Sequence, residues 1–170
     1  MELWDLYNAN GEIVGTDHIR GEKLPSNCYH LVVHIWIKNS DGKFLISMRS
    51  ATRPTSPLKW ETVGGSAIKG ETSLQGALRE VKEEIGVDLD ADNGKLLFRW
   101  MRGLEVGEPF DDILDVWLFN YDGDAALENA PTDEVCETKW ATFNEVKKLL
   151  DSGEMVKSIS YFCDIERYIQ

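Results

Sequence analysis

Positive charge is scarce in this chain. Its 170 residues hold 18 lysines and arginines against 30 acids, a net charge of −12. The deficit is concentrated after residue 85, where 19 acids meet 8 bases. Such a surface repels a polyanion and has no basic stripe to release counterions, which excludes bulk nucleic acid as a partner. A small phosphate compound stays admissible where divalent cations offset the repulsion. Cysteine is scarce too. Cys28, Cys136 and Cys163 show no CxxC spacing, so they read as buried or idle thiols in a reducing compartment, neither a disulfide set nor a zinc site. No uninterrupted apolar run approaches the ~18 residues of a membrane span. The opening Met1-Glu2-Leu3-Trp4-Asp5 has neither a basic stretch nor a long apolar one. The sequence therefore predicts no secretory signal and a cytoplasmic location. It also lacks repeats and long Pro/Ser/Gly linkers, which predicts a single domain over residues 1–170.

What is present suffices for a core. Apolar residues make up 42% and aromatics 10%, an ordinary globular composition that needs no staples at this length. Asn8-Ala9-Asn10-Gly11 predicts a turn between two short strands. The β-branched and aromatic run His30 to Trp36 reads as strand, and Asn39-Ser40-Asp41-Gly42 as a hairpin turn into a second strand, Lys43 to Met48. Trp60 to Val63 reads as one short strand entering Gly64-Gly65. Leu74, Ala77, Leu78, Val81 and Ile85 share one face at helical spacing. Thr72 with Gln75 fits a capping box and Gly86 a stop. Strands over 96–104 and 113–121 follow, then a helix opened by Thr142 and Glu145 and an amphipathic helix over 156–168. Mixed strands with about three helices predict an α/β or α+β sandwich.

The helix after Thr72 breaks several local rules in one place. Glu80, Glu83 and Glu84 stand at i, i+3 and i+4 and project within one arc. The like-charged Glu80–Glu84 pair costs about 0.2–0.5 kcal/mol. Glu83 and Glu84 also sit in the last turn, where the helix dipole favours cations. Gly76 costs a further ~1 kcal/mol relative to alanine, while Arg79 can pair with Glu83. A cluster of conflicts of this kind is expected at a functional site. Clustered oxygen donors of net negative charge suit Mg²⁺ or Mn²⁺, hard cations that also bind phosphates.

The spacing Gly65-x5-Glu71-x7-Arg79-Glu80-Val81-x-Glu83-Glu84-x-Gly86-Val87 resembles a complete Nudix box over 65–87. The resemblance implies the Nudix fold, a mixed sheet sandwiched between helices. Trp4-Asp5-Leu6-Tyr7 through Tyr29-His30-Leu31-Val32-Val33 is similar to the branch nearest isopentenyl diphosphate isomerase. The family further implies Mg²⁺ ligation by Glu80 and Glu84, with Glu83 a further ligand or the base for water, and the Gly64 carbonyl a backbone ligand. Glu71 would buttress the loop–helix junction, and Arg79 would orient a box carboxylate. The implied reaction is attack of water on a phosphorus of a small diphosphate compound, nucleoside-linked or other. A homodimer is compatible with this reading.

Outside the box the candidates are more scattered. Nudix proteins commonly recruit one more acid; Glu134 is the candidate here, with Glu105 and Glu108 as rivals. Arg49 and Arg53 flank a strand-end loop and can hold phosphate as forked donors, or stand as loop cations. Trp60, Phe110 and Trp117 can stack on a base, or serve the core. His30 and His34 share a strand face and read as neutral, hydrogen-bonded histidines near the metal region. An isomerase is the rival enzyme, yet Gly64 and Ser66 stand where that enzyme carries its catalytic Cys and metal-binding His. A non-catalytic ligand sensor is the rival outside catalysis, but the box is undamaged. RNA decapping conflicts with the missing basic platform.

Overall fold

In the computed structural model, which describes residues 1–103 and 111–169, β1 (Leu3–Tyr7) and β2 (Ile13–Ile19) form an antiparallel hairpin. Asn8 builds its turn by accepting from the backbone N–H groups of Asn10 and Glu12, the local bonding that favours asparagine at turns. The second hairpin joins β3 (His30–Lys38) to β4 (Phe44–Arg49) through Asn39–Gly42. These two strands pair only at Ile37–Leu45 and Lys38–Phe44, next to the turn.

Beyond that point β3 and β4 take different partners. The single strand expected from Trp60 to Val63 is in fact two, β5 (Trp60–Glu61) on β4 and β6 (Val63–Ser66) on β3. The break falls at Thr62, whose Oγ1 donates to the Ile35 carbonyl at 2.5 Å. The chain therefore crosses from one branch of the sheet to the other between Glu61 and Val63. Sequence periodicity cannot show such a crossing, because Trp60–Glu61 is too short to have a period and Val63–Ser66 does not alternate.

The remaining strands are β7 (Gly94–Met101), β8 (Asp112–Asn120) and β9 (Val135–Ala141). β8 runs parallel to β3 along its whole length, β7 lies antiparallel outside β8, and β9 pairs with β4. The side chains of β3 divide the core between two layers. Val33, Ile35 and Ile37 face Ala77, Val81 and Ile85 of α1 (Ser73–Ile85). Trp36 faces the other way with Phe44 and Phe162, under α2 (Phe143–Asp151). The mixed sheet thus lies between helices, as the sequence predicts.

The segment after α2 corrects one expectation. Lys157–Arg167 is a 3₁₀ run kinked at Ile159, not an α-helix. Its buried residues Ile159, Tyr161, Phe162 and Ile165 face the core.

Candidate active site

α1 carries the central acids, and both its ends are fixed by local chemistry. Thr72 Oγ1 accepts from the Gln75 N–H at 3.2 Å and Gln75 Oε1 accepts from the Thr72 N–H at 2.8 Å. Gly86 ends the helix at φ +71°. Between these caps Arg79 spends its guanidinium on four groups. Nε and Nη2 donate to Glu71 Oε1 and Oε2 at 2.8 and 3.0 Å, and Nη2 also donates to the Ser66 carbonyl at 2.9 Å. Nη1 donates to Glu80 Oε1 and Glu83 Oε2, both at 2.9 Å. Glu71 Oε2 in turn accepts from the Ile68 N–H at 3.0 Å, so the loop before the helix is stapled to it. Burial alone would lower the Arg79 pKa; its bonds to Glu71 and Glu80 raise it instead.

Two glycines let the strand approach this helix. A Cβ on Gly65 would overlap the Glu80 carboxylate. On Gly64 it would meet the Val33 carbonyl at 2.6 Å and the His34 ring at 2.9 Å. Glu84 lies deeper, beside Val81 and Ile85 on the buried face of α1. Its Oε2 is sealed from solvent and has no hydrogen-bond partner. Burial pushes the Glu84 pKa well above the carboxylate range; Glu61, Glu80 and Glu134 push it further, and a backbone hydrogen bond from Gly64 opposes them. Burial also raises Glu80 and Glu61, against the pull of Arg79 and Arg49 respectively.

Glu61 is the site residue the sequence did not disclose. It reaches the cleft from β5 and accepts from Arg49 Nη1 at 3.0 and 2.9 Å. The one available signal was a charge inside the otherwise uncharged stretch Trp60–Ser66. Glu134 arrives from the loop before β9 and pairs with Arg53 at 2.5 Å. Together with Glu80, Glu83 and Glu84 these residues line one cleft of about 450 Å³. It opens where β3 and β4 part company. Arg49, Arg53, Gly64 and Glu134 are therefore brought to the acids of α1.

Other candidates fall elsewhere. Trp60 lies in the core with the Lys139 ammonium 3.9 Å above its ring and does not line the cleft. Trp117 packs on the α1 face and donates from Nε1 to Ser73 Oγ at 2.8 Å. His30 stacks on Trp4, with ring centroids 4.1 Å apart. His34 does line the cleft; burial depresses its pKa to about 3, which keeps it neutral. Glu105, Glu108 and Phe110 lie outside the described residues.

Among the described residues no three His, Cys, Asp or Glu side chains already converge as a metal cage. Arginines hold Glu61, Glu80, Glu83 and Glu134 in ion pairs instead. The donors nonetheless fit a hard cation. They are all oxygens, they outnumber the local arginines, and one buried carboxylate oxygen has nothing to bind.

A family model for the NUDIX domain matches residues 29–162. The chain belongs to the Nudix family. Over 157 residues it is 40% identical to an uncharacterised Nudix hydrolase of Listeria innocua, covering 92% of this chain and 89% of that one. It is 29% identical over 174 residues to the chloroplastic isopentenyl-diphosphate Delta-isomerase 1 of Cannabis sativa, covering 88% of this chain and 59% of that protein. The crystal structure of DR0079 from Deinococcus radiodurans matches its fold with a TM-score of 0.78 at 23% identity, over 99% of this chain and 100% of that one. Nudix hydrolases act on pyrophosphate bonds and generally use divalent metal ions. In this Nudix chain the residues 65–87 are the segment that meets the cleft from both β6 and α1.

Proposed function

We propose that this Nudix protein is a Mg²⁺-dependent pyrophosphohydrolase, with Mn²⁺ as a substitute ion. Its substrate is a small diphosphate compound, nucleoside-linked or other, cleaved by attack of water on phosphorus. Glu80, Glu84 and Glu83, with the Gly64 carbonyl, would hold the ion. The observation that carries this reading is Glu84, a buried carboxylate with an unpartnered oxygen, crowded by the charges of Glu61, Glu80 and Glu134. Such a group is costly unless a cation completes it. When bound, the cation supplies positive charge against the phosphate oxygens and polarises water.

The chain's own residues divide the remaining work. Glu83 is the most open of the three helix acids, with 38% of its side chain exposed, and suits removal of a proton from water. Arg79 aligns Glu80 and Glu83 from a single nitrogen, and Glu71 fixes Arg79. Arg49 and Arg53 offer forked donors for which phosphate oxygens compete with Glu61 and Glu134. The reading takes residues 1–170 as a single domain acting in the cytoplasm on a small molecule, as a monomer or homodimer. No helix among the described residues is long and apolar enough to cross a membrane.

The isomerase alternative needs a thiol at the reacting carbon. Among the described residues no cysteine lines the cleft. Gly64 and Ser66 occupy the two positions concerned.

The test is release of phosphate and nucleotide from a panel of diphosphates that includes isopentenyl diphosphate, with Mg²⁺ or with chelator. Wild type should hydrolyse at least one compound only with Mg²⁺. Glu80→Gln and Glu84→Gln should each lose about 10²-fold or more in kcat while melting as folded proteins. Retained turnover in either variant removes the ligand assignment, and formation of the allylic isomer favours the isomerase.

A further inference from the structure

At the wall of the cleft, three side chains form a relay of hydrogen bonds that the carboxylate chemistry does not use. Trp36 Nε1 donates to the Tyr161 hydroxyl at 3.3 Å, and that hydroxyl lies 2.8 Å from His34 Nδ1. The donor inventory fixes the direction of each bond. An indole N–H can only donate, so the Tyr161 oxygen is the acceptor there. The hydroxyl proton then needs an acceptor of its own. Tyr161 is buried, and His34 Nδ1 is its only other hydrogen-bond partner among the described residues. A proton on Nδ1 would leave the hydroxyl proton stranded in the core, and buried donors are rarely left unmade. The relay is satisfied only with Nδ1 bare, which places the imidazole proton on Nε2.

The opposite edge of the ring faces the site. His34 Cδ2, bonded to Nε2, packs over Gly64, where a Cβ would come within 2.9 Å of it. Nε2 has no partner among the described residues, yet unlike Glu84 Oε2 it is not sealed from solvent. His34 lines the cleft together with Gly65, Glu80 and Glu84.

We propose that His34 is a substrate-binding residue, its Nε2–H donating to a phosphate oxygen, and that Tyr161 is the positioning residue that holds this tautomer through Nδ1. The identity of the ligand rests on the pyrophosphohydrolase reading above. With its proton on Nε2, His34 has no lone pair on that nitrogen to offer a cation. It also gives the acidic cleft a donor that binds an anion without forming an ion pair with the carboxylates.

The experiment is long-range ¹H–¹⁵N NMR of the imidazoles in the full chain, for wild type and Tyr161→Phe. Wild-type His34 should show a protonated Nε2 and a bare Nδ1, and Tyr161→Phe should show a mixture of tautomers. Mg²⁺ alone should leave Nε2 protonated; Mg²⁺ with methylenediphosphonate, a non-hydrolysable diphosphate, should shift the Nε2–H resonances. In turnover, His34→Leu should raise KM about three- to tenfold with kcat nearly unchanged, the pattern of a lost neutral hydrogen bond common to ground and transition states. His34→Gln, whose amide also donates, should recover part of that loss. Should His34→Leu fail to fold, the wild-type and Tyr161→Phe spectra still decide. An Nδ1–H tautomer in wild type, Mg²⁺ bound to Nε2, or diphosphonate binding that leaves Nε2 unmoved would overturn the proposal. A diphosphonate shift at Nε2 without hydrolysis of any compound would support His34 and count against the hydrolase reading instead.

Discussion

Arg79 grips Glu71 with a two-pronged fork, Nε to Oε1 at 2.8 Å and Nη2 to Oε2 at 3.0 Å. The remaining guanidinium nitrogen is thereby aimed at Glu80 and Glu83. A lysine supplies the charge without the fork. Arg79→Lys should therefore stay folded but lose about 10–100-fold in kcat, the usual cost of removing a group that orients a metal ligand. Steady-state kinetics at saturating Mg²⁺ checks this; near-wild-type turnover would show that charge alone suffices.

Glu84 strains the metal-free protein. Its folded pKa lies above the usual 4.5 because of burial and neighbouring acids. A raised acid favours the folded state at low pH, and that contribution is lost as pH climbs from about 4.5 through the raised value. Stability without metal should thus fall over that range, and Glu84→Gln should flatten the fall and raise Tm at neutral pH. For a chain of this size ~1 kcal/mol corresponds to about 2–4 °C. Added Mg²⁺ should raise Tm in wild type and not in the variant. Calorimetry at several pH values reads both effects, and a lower Tm for the metal-free variant would contradict them.

Arg102 and Asp112 make a buried pair, with 5% of each side chain exposed and Nε to Oδ1 at 2.6 Å. Asp112→Ala removes the carboxylate that this guanidinium grips through Nε and Nη2. Losing charge-assisted hydrogen bonds of this kind should cost about 1.5–3 kcal/mol, measurable by urea denaturation as a lower midpoint. A loss under about 0.5 kcal/mol would mean that the pair adds little to stability.

Glu61 adds negative charge to the cleft from a different strand. Affinity for a hard cation follows the charge count of the site. Glu61→Gln should weaken Mg²⁺ about tenfold in titration calorimetry. Unchanged affinity would confine Glu61 to holding Arg49.

What the sequence disclosed and what it hid divide along the range of the interactions. The Asn8–Gly11 and Asn39–Gly42 turns, the Thr72 and Thr142 caps and the Gly86 stop are written in neighbouring residues, and the structure has them all. Glu80, Glu83 and Glu84 were legible because helix geometry alone places them together. The switch of partners at Thr62 and the arrival of Glu61 depend on how β3 and β4 diverge, which no local pattern records. His34 and Tyr161 lie 127 residues apart, and nothing in either segment announces the other. The kink at Ile159 was not legible, because Ile159, Tyr161, Phe162 and Ile165 also fit a short stretch of uninterrupted amphipathic helix. Trp60 could have been core or cleft on composition, and packing decided for the core.

The most direct measurement is turnover of the best diphosphate in H₂¹⁸O with Mg²⁺, by wild type and Glu84→Gln side by side, with products read by mass spectrometry. Attack of water on phosphorus predicts one ¹⁸O in a phosphate-bearing product, formed by wild type and about 10²-fold more slowly by the variant. Label in a product without phosphorus, or equal rates from the two proteins, would contradict a metal-dependent pyrophosphohydrolase built on Glu84.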